Sequence, residues 1–387
     1  MKLTACEVDL AAALVRRDGE ELTLTPTEVK LLRWFAERPG RALPREALLT
    51  EVWGYAPGVE SRAPDNTIGR LRGKIEVDPK RPDHLLKVYG VGYRFEYTPE
   101  SPEAPEASST APPPAPAQHH DVDPLALFLE RARRVRWDFS LSPEELAPVR
   151  ALVSGPLACN PLAITLAASQ AGRLPALAIA ERLSHHLRLH RSSGPVAGVL
   201  AWSRSLLQPP ESAALRQCAV FRGAFTLEAA EAVLELRRWP ESWALDVLQT
   251  LRDLGLLQLT PAPSPVPRFA LLEPLQAAVR AELRADSAYS DTVERHLSWC
   301  ARFAREALSA PAPDVASLRV SQRDLTAAAT RAIAIGKPAL ADAAAWCCLG
   351  LRAVVTSEGV VAWEALRMEV RDLPGLSDAT RARLISA

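Results

Sequence analysis

Between Thr98 and Asp121 the chain reads TPESPEAPEASSTAPPPAPAQHHD, and no apolar residue in it is larger than alanine or proline. Such text cannot bury enough surface to offset its chain entropy, so it is expected to link rather than fold, partly in polyproline-like form. At ~3.1 Å per residue its span reaches roughly 70 Å. A chain of 387 residues interrupted in this way holds at least two independently built parts. The expected division is residues 1–97, a disordered linker 98–121, and three further segments, 122–208, 209–285 and 286–387. The fold class follows as mainly α with small β elements.

The part before the linker opens with strand-like pieces, Lys2–Cys6, Ala13–Arg16 and Leu22–Leu24. TPTE then supplies a helix start, with Thr25 as cap, Pro26 at the first helical position and Glu28 three residues after the cap. Leu31, Leu32 and Phe35 give that helix its apolar stripe. PREALLTEVW forms a second helix, with Leu48, Leu49, Val52 and Trp53 as its apolar positions. The third is APDNTIGRLRGKI, Ala63 to Ile75. Wound at about 100° per residue, Ile68, Leu71 and Ile75 share one face, with Pro64 beside them. Asn66, Gly69, Arg70 and Gly73 take the opposite face. A glycine inside a helix costs roughly 1 kcal/mol against alanine, so two on the unpacked side need a reason. HLLKVYGVGYRFEY closes the part as a β-hairpin, with Gly90 and Gly92 at the turn.

Three helices and a hairpin describe a winged helix-turn-helix. LTPTEVKLLRWF, REALLTEVWG, DNTIGRLRGKI and GVGYRF, in that order, resemble the effector domain of OmpR/PhoB-type response regulators over about residues 1–97. The resemblance implies a third helix in the major groove of double-stranded DNA and a wing at the minor groove. On it, Asn66 and Arg70 stand where the family reads bases, which suits asparagine for adenine and arginine for guanine. Thr67 and Arg72 lie toward the flanks, where phosphates run. Arg62, Lys74 and Trp53 are expected to add backbone contacts, and Lys87, Tyr89, Gly90 and Gly92 to form the wing. Two positions depart from the family. Gly69 replaces a common basic residue, which removes a phosphate contact but lets the helix seat more closely. Tyr89 occupies a wing position often held by arginine. Residues 1–97 carry 16 bases against 15 acids, so the steering field is modest. The text begins inside the effector domain, so a phosphorylated receiver aspartate is not the expected input.

After the linker the pattern is helical and rich in alanine and leucine. Asp123–Pro124 opens a helix through Arg136, SPEE at Ser142–Glu145 is a capping box, and helices continue through about Leu207. Glu211–Leu283 holds three helices and a hairpin, LLQLT to RFALL. From Asp286 onward everything is helical, with pairs that suggest a repeat array but no clean period. DPLALFLERARRVRWDFSLSPEE, NPLAITLAASQ, AVFRGAFTLEAAEAVL, LRDLGLLQLT and RFALLEPLQAAVRAEL resemble the region that follows the ATPase core in STAND-type bacterial regulators. That resemblance implies a helical domain, a second winged-helix-like domain and a helical-repeat-like tail. The core itself is missing. A P-loop needs GxxxxGK[ST], and the two Gly-Lys pairs, Gly73–Lys74 and Gly336–Lys337, are followed by neither Ser nor Thr. The turn expected near the adenine reads CNPLA, with Asn160 in place of glycine and Pro161 able to start a helix. No nucleotide and no other cofactor is expected.

Other chemistries find no footing. The 46 basic and 46 acidic residues cancel, so any nucleic-acid surface must be local, and 40 of the bases are arginine. Six scattered cysteines without a CxxC pair indicate a reduced, cytoplasmic chain with buried thiols. No run approaches the ~18 apolar residues of a membrane span, and no signal core opens the chain. His185, His186 and His190, and His119–His120 in the linker, lack companion ligands for a metal. No nucleophile motif such as GxSxG occurs, so no enzyme activity is expected. Trp202, Trp239, Trp243, Trp299, Trp346 and Trp363 read as core. The expectation is a DNA-binding transcriptional regulator whose C-terminal half, 122–387, senses a protein partner or self-associates. The alternative is an interaction scaffold whose winged helices no longer touch DNA.

Overall fold

The computed structural model describes residues 1–10, 12–59, 61–97, 123–136, 139–189, 194–239, 242–260, 266–356 and 359–386. The expected linker and His190 lie outside them. The chain is mainly helical with three small sheets. It divides into two compact units, one built on Met1–Ser184, the other on His185–Ala262 and Arg268–Ala387.

The first unit opens with an antiparallel sheet of β1 (Glu7–Asp9), β2 (Leu14–Arg17) and β3 (Glu20–Thr23). Val15 sits opposite Val8 on one side and Leu22 on the other. The expected first strand at Lys2–Cys6 is displaced. The Leu3 amide donates to the Cys6 carbonyl and closes a turn there, so continuous pairing begins at Glu7.

Helix α1 (Pro26–Ala36) starts as the sequence dictates. Thr25 Oγ1 accepts from the Glu28 amide at 3.2 Å, and the Glu28 carboxylate accepts from the Thr25 amide at 2.9 Å. Leu31, Leu32 and Phe35 are fully buried, each stabilising the fold by roughly 1.5–3 kcal/mol. Strand β4 (Ala42–Pro44) leads into α2 (Arg45–Glu51), and α3 (Ala63–Ile75) packs on both α1 and α2. The hairpin of β5 (Leu85–Val88) and β6 (Gly92–Phe95) joins β4 in a sheet of order β4-β6-β5. Glu76, at the end of α3, is buried and accepts from the amides of Asp83, His84 and Leu85. That carboxylate fixes where the wing begins relative to α3. Further along come α4 (Pro124–Val135), α5 (Pro143–Ser154), α6 (Pro161–Ala168) and α7 (Ala176–Leu189), in which the unit ends. Asp123 caps α4 and Ser142–Glu145 forms the capping box of α5. Asn160 caps α6 by accepting from the Ala163 amide at 3.0 Å, so CNPLA is a helix start.

The second unit holds α8 (Gly194–Ser205) and then repeats the winged-helix order: α9 (Pro209–Cys218), β7 (Phe225–Thr226), α10 (Leu227–Val233), α11 (Ala244–Asp253), β8 (Leu257–Thr260) and β9 (Arg268–Leu271). Its sheet order, β7-β9-β8, matches that of β4-β6-β5. Helices α12 (Glu273–Ala285), α13 (Tyr289–Ser309), α14 (Val315–Val320), α15 (Gln322–Ile335), α16 (Ala341–Arg352), α17 (Val360–Arg371) and α18 (Asp378–Ser386) complete it, with α13 and α15 both packed on α16. Trp202, Trp299 and Trp363 are buried, and Trp239 and Trp346 are half-buried. Trp243 departs from the expected core: it is the residue before α11, outside the packed face, and 55% exposed.

Candidate nucleic-acid interface

Helix α3 buries Ala63, Pro64, Thr67, Ile68, Leu71 and Ile75 against the core. What remains outward is the row Asn66, Gly69, Arg70 and Gly73, of which only Arg70 is half-buried. Arg70 Nη2 lies 3.4 Å from Thr67 Oγ1. A Cβ added at Gly69 or Gly73 would meet no atom within 4 Å. Nothing inside the protein therefore demands a glycine at either position.

The cations around this row divide into two groups. Arg72 donates through Nε (2.9 Å) and Nη2 (2.5 Å) to the Leu85 carbonyl. Lys74 Nζ donates to the Thr23 carbonyl and to the buried Glu28 carboxylate, both at 2.8 Å. These two were expected at phosphates. Their heads are instead committed to holding α3 against the wing and against α1. Arg62 and Lys87 are exposed, and neither side chain makes a hydrogen bond among the described residues. Two further expectations are corrected by burial. Thr67 and Trp53 are both 0% exposed, so neither side chain offers surface to a phosphate.

The wing presents Tyr89 at its tip, 98% exposed, beside the exposed Val91. Gly90 takes φ +75°, the left-handed conformation that a tight turn asks of it. Gly92 was expected in the turn but belongs to β6. A Cβ there would lie 2.2 Å from the Leu43 carbonyl oxygen, so the close approach of β4 requires glycine.

Between the start of α3 and the wing lies a cleft lined by Arg62, Asp65, Lys87, Gly90, Val91 and Tyr93, with Arg45 on its wall. Its polar centre was not anticipated. Arg45 donates from Nε (3.1 Å) and Nη2 (2.6 Å) to Asp65 Oδ2, and also reaches the Ser61 carbonyl. The Tyr93 hydroxyl donates to Asp65 Oδ1 at 2.6 Å. Burial raises the Asp65 pKa, but the Tyr93 and Arg45 hydrogen bonds, with the charges of Arg45 and Lys87, outweigh it and hold the carboxyl below its usual range. Burial first, then Asp65 itself, pushes the Tyr93 phenol far up, so it stays a donor. The signal in the sequence was an acid in the first turn of α3 whose partners open α2 and enter β6, too far apart for local pattern to join. Among the described residues no group of three His, Cys, Asp or Glu could hold a metal ion. All six cysteines are free thiols; five are buried and Cys159 is exposed.

A buried helix with one outward row, set beside a β-wing, defines a winged helix-turn-helix domain. Residues 19–95 match the family described as transcriptional regulatory protein, C terminal, so the N-terminal part of the chain carries a domain of that family, of the OmpR/PhoB type. The DNA-binding response regulator MtrA of Mycobacterium tuberculosis is 39% identical over 94 residues, covering 24% of this chain and 41% of that protein. The transcriptional regulatory protein KdpE of the same organism is 46% identical over 89 residues, covering 23% and 39%. MtrA of Mycolicibacterium smegmatis is 42% identical over 88 residues, covering 23% and 39%. The chain thus spans about two fifths of the length of these curated relatives. No helix among the described residues is long and apolar enough to cross a membrane.

Proposed function

We propose that this protein is a DNA-binding transcriptional regulator in which α3 reads bases through Asn66 and Arg70. The observation that carries the reading is the outward row of α3 beside an exposed wing, with the exposed cations Arg62 and Lys87 in the cleft between them. In that arrangement Arg62 and Lys87 take phosphates, Tyr89 enters the minor groove, and Arg72 and Lys74 brace the helix. Response-regulator relatives that carry the same domain support the assignment. The C-terminal half, which resembles the post-ATPase region of STAND regulators and lacks P-loop text, acts without nucleotide as a receptor for another protein or as a self-association module. We assign it no catalytic role and place the protein's work in the cytoplasm.

The test selects preferred DNA with purified protein and then compares variants. Arg70→Ala should cost ~1–3 kcal/mol on the preferred site and relax the choice at one base position. An equal loss on preferred and random DNA would remove Arg70 from base reading.

A further inference from the structure

Two anchors join α3 to the wing, one at each end of the helix. At the C-terminal end, the buried Glu76 carboxylate accepts from the amides of Asp83, His84 and Leu85, and Arg72 donates to the Leu85 carbonyl. These bonds hold the start of β5, at the base of the hairpin. At the N-terminal end, Asp65 Oδ1 accepts from the Tyr93 hydroxyl at 2.6 Å and so holds β6 close to the hairpin tip. Asp65 Oδ2 accepts from Arg45 Nε (3.1 Å) and Nη2 (2.6 Å), while the Arg45 amide donates to the Val91 carbonyl at 3.2 Å. The start of α3, the start of α2 and the tip side of the wing therefore meet at one carboxylate. The anchors lie about 16 Å apart along the helix, at 1.5 Å of rise per residue. A hairpin held only at its base can swing there, and its tip moves furthest. The second anchor opposes that swing. Strand β4 ties β6 to the body of the domain; the Tyr93 hydroxyl ties it to α3 itself.

The same carboxylate is poorly placed for contact with DNA. It lines the cleft with the exposed cations Arg62 and Lys87, where its negative charge repels phosphate oxygens. An acid at that surface weakens binding unless it does something else there. Tyr93 is 4% exposed, and a phenylalanine would fill the space of its ring equally well. What the hydroxyl adds is the bond to Asp65, a charge-assisted one of the stronger kind.

We propose that Asp65 and Tyr93 are positioning residues for DNA recognition, locking the wing to the start of α3 so that major-groove and minor-groove contacts are made at one fixed spacing. The proposal rests on the reading of α3 and the wing as the DNA-binding face. Its test is a double-mutant cycle on the affinity of the full chain for its selected DNA site, measured well below the Tm of every variant. Tyr93→Phe should weaken binding roughly twofold to thirtyfold, the range for a residue that acts on a ligand through its neighbours. In a Lys87→Ala/Tyr89→Ala background, whose wing has lost its contacts, the same substitution should change affinity by less than about twofold. In an Arg70→Ala background its effect should persist. A role confined to stability predicts a lower Tm and unchanged affinity in all three. Should Tyr93→Phe fail to fold, Asp65→Asn separates the effects by sign. Loss of an acid beside phosphates tightens binding by charge alone, whereas loss of the anchor weakens it. Unchanged affinity in Tyr93→Phe, an equal loss in the wing-deficient background, or tighter binding by Asp65→Asn would overturn the proposal and leave base reading by α3 standing. A parent chain that selects no DNA site fails the reading itself, and the proposal with it.

Discussion

Asp65 is held by Arg45 and Tyr93 at the centre of the cleft in the N-terminal domain. Its folded pKa lies below the unfolded value of ~3.9. A depressed carboxyl contributes stability that is fully present above the unfolded pKa and is lost as pH falls through the folded one. Asp65→Asn should therefore lower stability at neutral pH and flatten its decline under acid. Urea midpoints of the two proteins between pH 3 and pH 7 test this; curves that remain parallel would leave Asp65 without the role. Arg72 and Arg62 make a second contrast. Arg72→Ala removes two charge-assisted bonds to the Leu85 carbonyl and should cost about 1.5–3 kcal/mol of stability. It should leave the salt dependence of DNA binding unchanged. Arg62→Ala should do the reverse, with little effect on stability and a salt slope reduced by about one. If Arg72→Ala flattens the salt slope, its guanidinium leaves Leu85 for a phosphate on binding.

At the scale of the element, α3 is a helix whose two glycines have open space around them. Gly73→Ala should stabilise the domain by up to ~1 kcal/mol, since alanine loses less backbone freedom in a helix. If close seating on DNA is why glycine stands there, the same variant should bind less tightly. A protein both more stable and equally tight would assign Gly73 to compositional drift. The buried stripe of α3 and the capping boxes of α1 and α5 were legible because both are written within one turn or one helix period. The role of Arg72 was not, because the Leu85 carbonyl that it binds stands thirteen residues away along the chain. Thr67 and Trp53 were expected at the DNA backbone, yet tertiary packing buries them. The second winged helix makes the same point in reverse. Its α11 stands in the order where α3 stands, but it is buried along Leu245–Leu251. Element order was readable in the sequence, whereas which helix faces outward depended on what packs around it.

For the whole molecule, the consequence is a division of labour. Residues 1–97 contain their own core, with Leu31, Phe35, Leu48, Trp53, Ile68, Leu71, Leu85 and Phe95 all within 1% of full burial. As an isolated fragment they should fold cooperatively, and thermal unfolding followed by circular dichroism checks it. The fragment should keep the sequence preference of the full chain, because Asn66, Arg70 and the wing all lie within it. Its affinity depends on the other half. If residues 122–387 self-associate, they bring two DNA domains together, and the second contact becomes intramolecular at an effective concentration set by the connecting chain. Sedimentation of residues 122–387 decides between the two roles proposed for that half. A dimer at micromolar concentration predicts that the fragment 1–97 binds paired half-sites far more weakly than the full chain. A monomer predicts equal affinity for both, and leaves the helical half as a receptor whose partner must be sought by its own binding.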